Sequence, residues 1–314
     1  MTTSLVLSMA QPANTNLFNQ EILVLIESLT AGERQIDLSS PVCMGIINAT
    51  PDSFSDGAQL QRSGADSFQI DIDKALSRAV VMVADGATFI DVGGESTRPG
   101  AAAVSEQEEL DRVIPIIKVI STRLDVCISV DTSSPTVMSE AINCGAELIN
   151  DVRALSSPGA IEALIASEAA ICLMHMQGKP STMQKNASRT SYESVMEEVF
   201  EFLRLRVEHC LANGIQRNRL LIDPGFGFGK TVQHNYLLLK KLAHFSELEI
   251  PILIGVSRKS MIGEITGRAV DQRLAGSIAA TTFALASGAK IIRTHDVAAT
   301  MDAIRVNCAY SSAE

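Results

Sequence analysis

The chain has 314 residues, of which 46% are hydrophobic and 20% charged, and its formal net charge is −10. Its size suits one large α/β domain or two smaller ones. The acidic balance argues against a nucleic-acid-binding protein, which needs a basic surface. No apolar run approaches the about 20 residues that span a membrane. Six cysteines without a CxxC pair and an N-terminus without a secretory signal predict a protein of the reducing cytoplasm.

Residues 1–36 differ from the repeating pattern that follows them. We interpret them as an N-terminal extension that covers the bottom of a single domain at 37–314, and 17–29 could form a short amphipathic helix. In the domain, short apolar runs alternate with segments of helical periodicity. The eight runs are 43–47, 88–92, 126–130, 147–150, 170–174, 219–222, 251–256 and 290–294.

The alternation of strands and helices predicts the fold class. Gly86, Gly145 and Gly288 each end a helical stretch directly before an apolar run, where a left-handed residue commonly terminates a helix. Apolar residues at spacings of three and four, such as Val113, Ile117 and Ile120, indicate helices with one buried face. Strict alternation predicts parallel strands covered by helices, and eight units predict a closed (β/α)8 TIM barrel. An open doubly wound sheet is the alternative, although the dinucleotide-binding fingerprint is absent.

Every predicted strand ends in a polar side chain or is directly followed by one. One aspartate after a strand is more often a helix cap than a catalytic group, but a complete ring of polar strand ends favours a ligand site. In a (β/α)8 barrel that site lies at the carboxyl ends of the strands. The residues in chain order are Asn48, Asp91, Asp131, Asn150, His175, Asp223, Ser257 with Lys259, and Arg293 with His295.

The glycine-rich segment at 223–231 looks superficially like a phosphate-binding loop. A P-loop needs glycine five positions before Gly229, and Pro224 occupies that position. We therefore expect Asp223 to be a buried carboxylate at a strand end. Phe228 would lie on a glycine-rich loop, facing a flat ring.

The last two strands end in cationic groups. Ser257, Lys259 and Ser260 lie in one short polar segment, and Arg293 with His295 ends the final strand. Phosphate sites are frequent at this position of the fold, so these groups predict an anion site. Asn48 offers a neutral oxygen that suits Mg²⁺, although an Asx-turn at the strand end is the alternative.

Together, these segments resemble the dihydropteroate synthase family from about residue 36 to the C-terminus. The matching motifs are MGIINATPDSFSDG (44–57), DVGGESTRPGA (91–101), SVDT (129–132), INDV (149–152), MHMQG (174–178), DPGFGFGKT (223–231), GVSRKSMIG (255–263), RLAGS (273–277) and RTHDV (293–297). The departures, Ala49, Ala58 and Thr294 in place of the usual residues, remove no polar group.

The resemblance implies an activity and a role for each matching residue. The family joins 6-hydroxymethyl-7,8-dihydropterin pyrophosphate to 4-aminobenzoate, with Mg²⁺ and release of pyrophosphate, on the route to folate. By position, the resemblance implies that Asn48 binds the metal, that Asp131, Asn150, Asp223 and Lys259 bind the pterin, that Thr97, Pro99, Phe228 and Ser260 face the aminobenzoate, and that Arg293 and His295, with Arg98 and Ser257, bind the pyrophosphate. It also implies a homodimer and competition by sulfonamides.

Two other functions remain open from the sequence alone. A methyltetrahydrofolate-dependent methyltransferase would share the deep pterin carboxylates, but it has no reason to carry the segments at 96–101 and 257–260. A non-catalytic pterin-binding paralogue should have lost at least one of Asn48, Asp131, Arg293 or His295, and all four are present.

Overall fold

The computed structural model describes residues 27–50, 70–96, 104–178 and 192–313. Eight parallel strands in these ranges form one sheet in the order β8-β7-β6-β5-β4-β3-β10-β9. The strands are β3 (Val42–Asn48), β4 (Phe89–Gly93), β5 (Cys127–Asp131), β6 (Leu148–Asp151), β7 (Ala170–Met174), β8 (Leu220–Asp223), β9 (Leu253–Ile254) and β10 (Ile291–Thr294). A parallel bridge between Ile222 and Ile252 joins the two edges of the sheet. The (β/α)8 barrel is confirmed, and the open-sheet alternative is wrong.

Helices alternate with these strands and cover the barrel. They are α1 (Ile72–Ala84), α2 (Glu106–Arg123), α3 (Pro135–Asn143), α4 (Ala160–Ile165), α5 (Val195–Ala212), α6 (Val232–Lys240), α7 (Ser260–Thr266), α8 (Leu274–Ala286) and α9 (Val297–Ser311). The apolar stripe predicted in α2 is buried against the strands, and Pro115 lies inside that helix. Within the described ranges, no helix combines the length and the apolar character that crossing a membrane requires.

A β-hairpin before the barrel closes its amino-terminal end. Strands β1 (Ser28–Ala31) and β2 (Arg34–Asp37) pair antiparallel. Leu29, Ala31 and Leu38 pack in one cluster with the inward-facing residues at the starts of the barrel strands. The hairpin spans the domain boundary predicted after residue 36, which stays a prediction. The helix predicted at 17–29 is wrong at its C-terminal end, because Leu29 lies in strand β1, and its part at 17–26 lies outside the described residues. Because the hairpin fills the bottom, the open end of the barrel is the carboxyl end of its strands.

Candidate active site

Polar side chains from five strands point into the open end of the barrel. Asp91, Asp131, Asn150 and Asp223 end or nearly end β4, β5, β6 and β8, and all four are buried. Arg293 on β10 completes the group, with only 19% of its side chain exposed. Apolar residues fill the barrel below this level. Because they lie above this apolar layer, the polar groups form the floor of a cleft. Buried polar groups are tolerated only where they have partners.

Arg293 holds two of these carboxylates together. Its Nε donates to Asp91 Oδ2 at 2.6 Å and its Nη2 donates to Asp131 Oδ2 at 3.1 Å. Asp91 is fully buried and also accepts from Ser129 Oγ at 2.5 Å and from Asn150 Nδ2 at 3.3 Å. The guanidinium thus links β4, β5 and β10 and fixes the floor of the cleft.

Burial shifts the ionisation of these groups. Burial raises the pKa of Asp131, and the nearby Arg293 guanidinium opposes this shift. Burial also raises the pKa of Asp223 to about 6, against the effects of the Gly225 N–H and the cations nearby. Burial alone would lower the pKa of Arg293, but the Asp91 and Asp131 carboxylates raise it, so Arg293 stays charged. Such shifted carboxylates are typical of functional sites.

The loop after β8 forms one wall of the cleft. Asp223 Oδ1 accepts from the Gly225 N–H at 2.7 Å, which turns the chain directly after the strand. Phe228 then packs against Val152 and Met174 from neighbouring strand ends. Lys259 Nζ lies 4.2 Å from the centre of the Phe228 ring, a cation–π contact between two walls of the cleft.

The turn after β9 is fixed by an ion pair. Arg258 has a positive φ of 56° and donates to both carboxylate oxygens of Asp296, at 2.9 and 2.5 Å. Ser257 Oγ lies 3.1 Å from His295 Nδ1 and accepts from the His295 N–H at 3.2 Å. These contacts join the ends of β9 and β10. Arg258 therefore supports the turn, and Lys259 is the cation of this segment that faces the cleft.

The match to known proteins covers most of the chain. The family model described as pterin binding enzyme matches residues 44–295. Dihydropteroate synthase of Haemophilus influenzae is 50% identical over 278 residues, 88% of this chain and 97% of that one.

The chain belongs to the dihydropteroate synthase family. The Yersinia pestis dihydropteroate synthase, solved with a sulfonamide drug complex, has a TM-score of 0.85 and 48% identity, covering 91% of this chain and 100% of that one. The Xanthomonas albilineans dihydropteroate synthase, solved with 4-aminobenzoic acid, has a TM-score of 0.82 and 43% identity over 92% and 99% of the two chains. The predicted transferase of folate biosynthesis, which condenses a pterin pyrophosphate with 4-aminobenzoate, is confirmed.

The barrel brings most of the predicted site residues to one mouth. Asp131, Asn150, Asp223 and Arg293 form the floor, and Phe228 with Lys259 forms a wall. Ser257 and His295 lie together beside the floor, Ser260 begins α7, and Asn48 ends β3. The predicted Thr97, Arg98 and Pro99 lie outside the described residues. Their roles, and those of the others, remain predictions.

The sequence did not assign a site role to Asp91. It is the most buried carboxylate of the cleft and has three side-chain partners there. Its position at a strand end was a visible signal, because all the polar strand ends converge in this fold. What the sequence could not reveal is that the partner of Asp91 is Arg293, 202 positions away.

Proposed function

We propose that the polar floor of the barrel binds the pterin ring, and that the two walls bind 4-aminobenzoate and the pyrophosphate. The observation that carries this proposal is the convergence of Asp131, Asn150, Asp223 and Arg293, all buried or nearly so, at the one open end of the barrel. A flat heterocycle with several donors and acceptors matches such a floor, since each buried polar group needs a partner.

Asp223 is the proposed main contact of the pterin. The amino and ring N–H groups of a pterin form a donor edge that one carboxylate can accept in a bidentate way. Asp223 is buried, and its Oδ1 accepts from the Gly225 N–H. Its charge would also stabilise the positive charge that develops on the pterin methylene as the C–O bond breaks. Asn150 and Asp131 supply the remaining polar contacts of the ring.

Phe228 is the proposed wall of the aminobenzoate subsite, and Lys259, which we assign to the pterin, lies against its ring. The Phe228 ring is held against Val152 and Met174 and offers an apolar face to a benzene ring. Ser260, with Thr97 and Pro99, would complete this subsite. The aniline amine is a nucleophile without a catalytic base: its lone pair forms the C–N bond, the C–O electron pair leaves with pyrophosphate, and the proton passes to solvent. Sulfonamides, which imitate aminobenzoate in shape, would compete for the same space.

The leaving group is proposed to lie beside β9 and β10. Ser257 and His295 are coupled there, next to the Arg293 guanidinium. Arg98 would reach the same anion. These donors hold the pyrophosphate oxygens and stabilise the charge that they gain.

The residues at this end of the barrel fit a magnesium ion. Among the described residues no cluster of three or more His, Cys, Asp and Glu side chains could hold a metal. Mg²⁺ does not need one, because it commonly takes one or two protein oxygens and completes its shell with water and substrate phosphate. The Asn48 side-chain oxygen at the end of β3 is the proposed protein ligand. When bound, Mg²⁺ would neutralise charge on the pyrophosphate.

Pyrophosphate release tests this function. We expect release only when pterin pyrophosphate, 4-aminobenzoate and Mg²⁺ are all present, and loss of activity on chelation by EDTA that added Mg²⁺ restores. Asn48→Ala should raise the Mg²⁺ concentration for half-maximal rate about tenfold, and Asn218→Ala, far from the mouth beside β1, should not. A coupled phosphate assay measures pyrophosphate release and its dependence on the Mg²⁺ concentration. Pterin binding without turnover would indicate a non-catalytic paralogue, and an unchanged Mg²⁺ requirement in Asn48→Ala would exclude Asn48 as the ligand.

A homodimer through the outer helices is also proposed. Helix α8 contacts both α7 and α9. Large apolar side chains are exposed on all three, including Ile265 at 61%, Phe283 at 65%, Val306 at 66% and Tyr310 at 78%. The exposed positions of α8 carry no charged side chain. An apolar surface whose central helix exposes no charged side chain is typical of a subunit interface.

Phe283→Glu should break the proposed dimer. Burying a charge in place of an aromatic side chain should raise the dimer dissociation constant about thirtyfold or more. Light scattering after size-exclusion chromatography over a range of concentrations measures this shift. Leu205→Glu, at an apolar position on α5 that is 50% exposed, is the matched control. Equal behaviour of the two variants, or a monomeric wild-type protein, would contradict the proposal.

We place the protein in the cytoplasm with small-molecule substrates and no nucleic-acid or membrane partner. All six cysteines are unpaired, and Cys43, Cys127, Cys172 and Cys210 are buried. Unpaired cysteines are typical of reducing compartments.

A further inference from the structure

Lys230 is a buried cation without an assigned role. It ends the glycine-rich segment after β8, where a phosphate-binding lysine would stand in a P-loop, and only 2% of it is exposed. Its Nζ lies 2.9 Å from Gly225 O and 2.9 Å from His175 Nδ1. It also lies 3.3 Å from His175 O and 3.3 Å from Phe228 O. An ammonium has three N–H donors, so the protein itself satisfies all of them, and Lys230 cannot serve a substrate phosphate.

The oxygens around Lys230 belong to two different chain segments. The His175 carbonyl follows β7, whereas the Gly225 and Phe228 carbonyls belong to the loop after β8. The segments press together, since a Cβ at Gly225 would stand 1.9 Å from His175 O and one at Gly229 would stand 2.5 Å from Gln177 O. Carbonyl oxygens that converge repel one another unless a donor stands between them.

The other side of the loop is held from α6. Asn235, which is buried, accepts from the Gly227 N–H at 2.7 Å through Oδ1 and donates to Thr231 O at 2.7 Å through Nδ2. Lys230 and Asn235 therefore hold the loop from its two sides and fix its conformation. The conformation of this loop sets the positions of two residues of the cleft, because Asp223 begins the loop and Phe228 lies near its end.

We propose that Lys230 is a positioning residue whose ammonium draws the ends of β7 and β8 together and fixes Phe228 and Asp223 for the reaction. This inference rests on the proposed placement of aminobenzoate against Phe228 and of pterin against Asp223. His175 is neutral in this arrangement: burial lowers its pKa to about 2, so its Nδ1 can accept from the ammonium. Burial also lowers the pKa of Lys230 to about 7, against the Asp223 carboxylate, so the ammonium form described here is the one present below that pH. The lysine acts as an internal counterpart of a bound monovalent cation, which carbonyl oxygens would coordinate in a similar way.

Lys230→Ala tests the proposal because it leaves a carbonyl-lined space of ammonium size. Without substrates, amide hydrogen exchange in residues 223–231 should become faster, and in assays the KM for aminobenzoate should rise about tenfold, the effect of losing one or two charge-assisted hydrogen bonds. Ammonium chloride should restore both quantities. Tetramethylammonium chloride at equal ionic strength should restore neither, because that ion cannot donate. Lys240→Ala, at an exposed lysine of α6, is the matched control.

Lys230→Met separates the effect of losing the ammonium charge from the effect of losing side-chain volume. It also replaces the alanine variant in the test if that variant does not fold. Methionine fills the space without donating, so its loop should exchange faster and ammonium should give no rescue. Wild-type exchange in Lys230→Met, or equal recovery of Lys230→Ala in the two salts, would overturn the proposal. Phe228→Ala distinguishes failure of the proposed function: an unchanged KM for aminobenzoate there contradicts the placement of aminobenzoate, whereas the exchange data still decide the role of Lys230.

Discussion

Asp223→Asn is expected to lower kcat/KM for the pterin pyrophosphate by about three orders of magnitude, because a buried charged contact to a ligand contributes several kcal/mol. The amide keeps the shape and can still accept from the Gly225 N–H. It loses the charge and places an N–H₂ group against the donor edge of the pterin. Calorimetric titration with a pterin measures the loss of affinity, and steady-state assays measure the loss of kcat/KM. Unchanged pterin affinity would refute the assignment of Asp223.

The same carboxylate should set the acid limb of the pH profile. Burial raises the pKa of Asp223 to about 6, from an ordinary value of 3.8. Protonation therefore removes its charge as the pH falls through about 6, and kcat/KM for the pterin should fall with it. A profile that is flat down to pH 5 would show that the charge of Asp223 is not used.

Asp223→Asn should also stabilise the fold at neutral pH. A carboxyl whose pKa is higher in the folded state than in the unfolded one contributes stability below pH 3.8, and this is lost as pH rises through about 6. The shift of about two units corresponds to about 3 kcal/mol at most. The variant should thus gain stability over the wild type at pH 8 and less at pH 5, measured by urea unfolding. Asp302→Asn, on the exposed face of α9, is the control, and a pH-independent difference would contradict this account.

Arg293→Met is expected to destabilise the protein by about 3–5 kcal/mol, because it leaves two buried carboxylates without a counter-charge. Asp91 is fully buried, and within the part of the chain that the structure describes its other side-chain partners are Ser129 and Asn150. The double variant Arg293→Met/Asp91→Asn should recover part of the loss, since it removes one unpaired charge. Urea unfolding of Arg293→Met, Asp91→Asn and the double variant measures the coupling free energy between the two side chains. Additive losses would show that the Arg293–Asp91 pair does not determine the stability of the floor.

The pairing of Arg293 also changes what its substitution does to ligands. The resemblance assigns Arg293 to the pyrophosphate, and on that assignment alone its replacement would weaken pyrophosphate binding much more than pterin binding. Since Arg293 also holds Asp131, we expect its replacement to weaken the binding of pterin and of pyrophosphate. His295→Ala should weaken pyrophosphate binding selectively. Titrations of both variants with pyrophosphate and with a pterin measure this difference. Equal losses in His295→Ala would count against the leaving-group assignment.

The barrel itself could be predicted from local pattern. Each predicted apolar run overlaps a strand of the structure, because buried parallel strands are short, continuous and apolar and are bounded by helix-ending glycines such as Gly86 and Gly145. The hairpin at 28–37 was missed because its four-residue strands are half polar and its partner surface, the barrel bottom, is distant in sequence.

The site could be predicted in outline but not in its connections. Polar strand ends and the family motifs identify which residues face the mouth. They do not reveal that Arg293 joins Asp91 to Asp131, that Arg258 is committed to Asp296, or that Lys230 faces inward. Each of these contacts depends on the side-chain geometry of two strand ends brought together by the closed barrel, and residue spacing carries no record of it.

A crystal structure with a pterin pyrophosphate, 4-aminobenzoate and Mg²⁺ tests the central claim most directly, namely that one cleft binds the heterocycle at its floor and the diphosphate at its side. We predict the amino edge of the pterin within hydrogen-bonding distance of Asp223, the benzene ring against Phe228, and the phosphates beside Arg293, His295 and Asn48. A pterin bound elsewhere, or bound in the mouth with its phosphates against Asp223, would contradict the account.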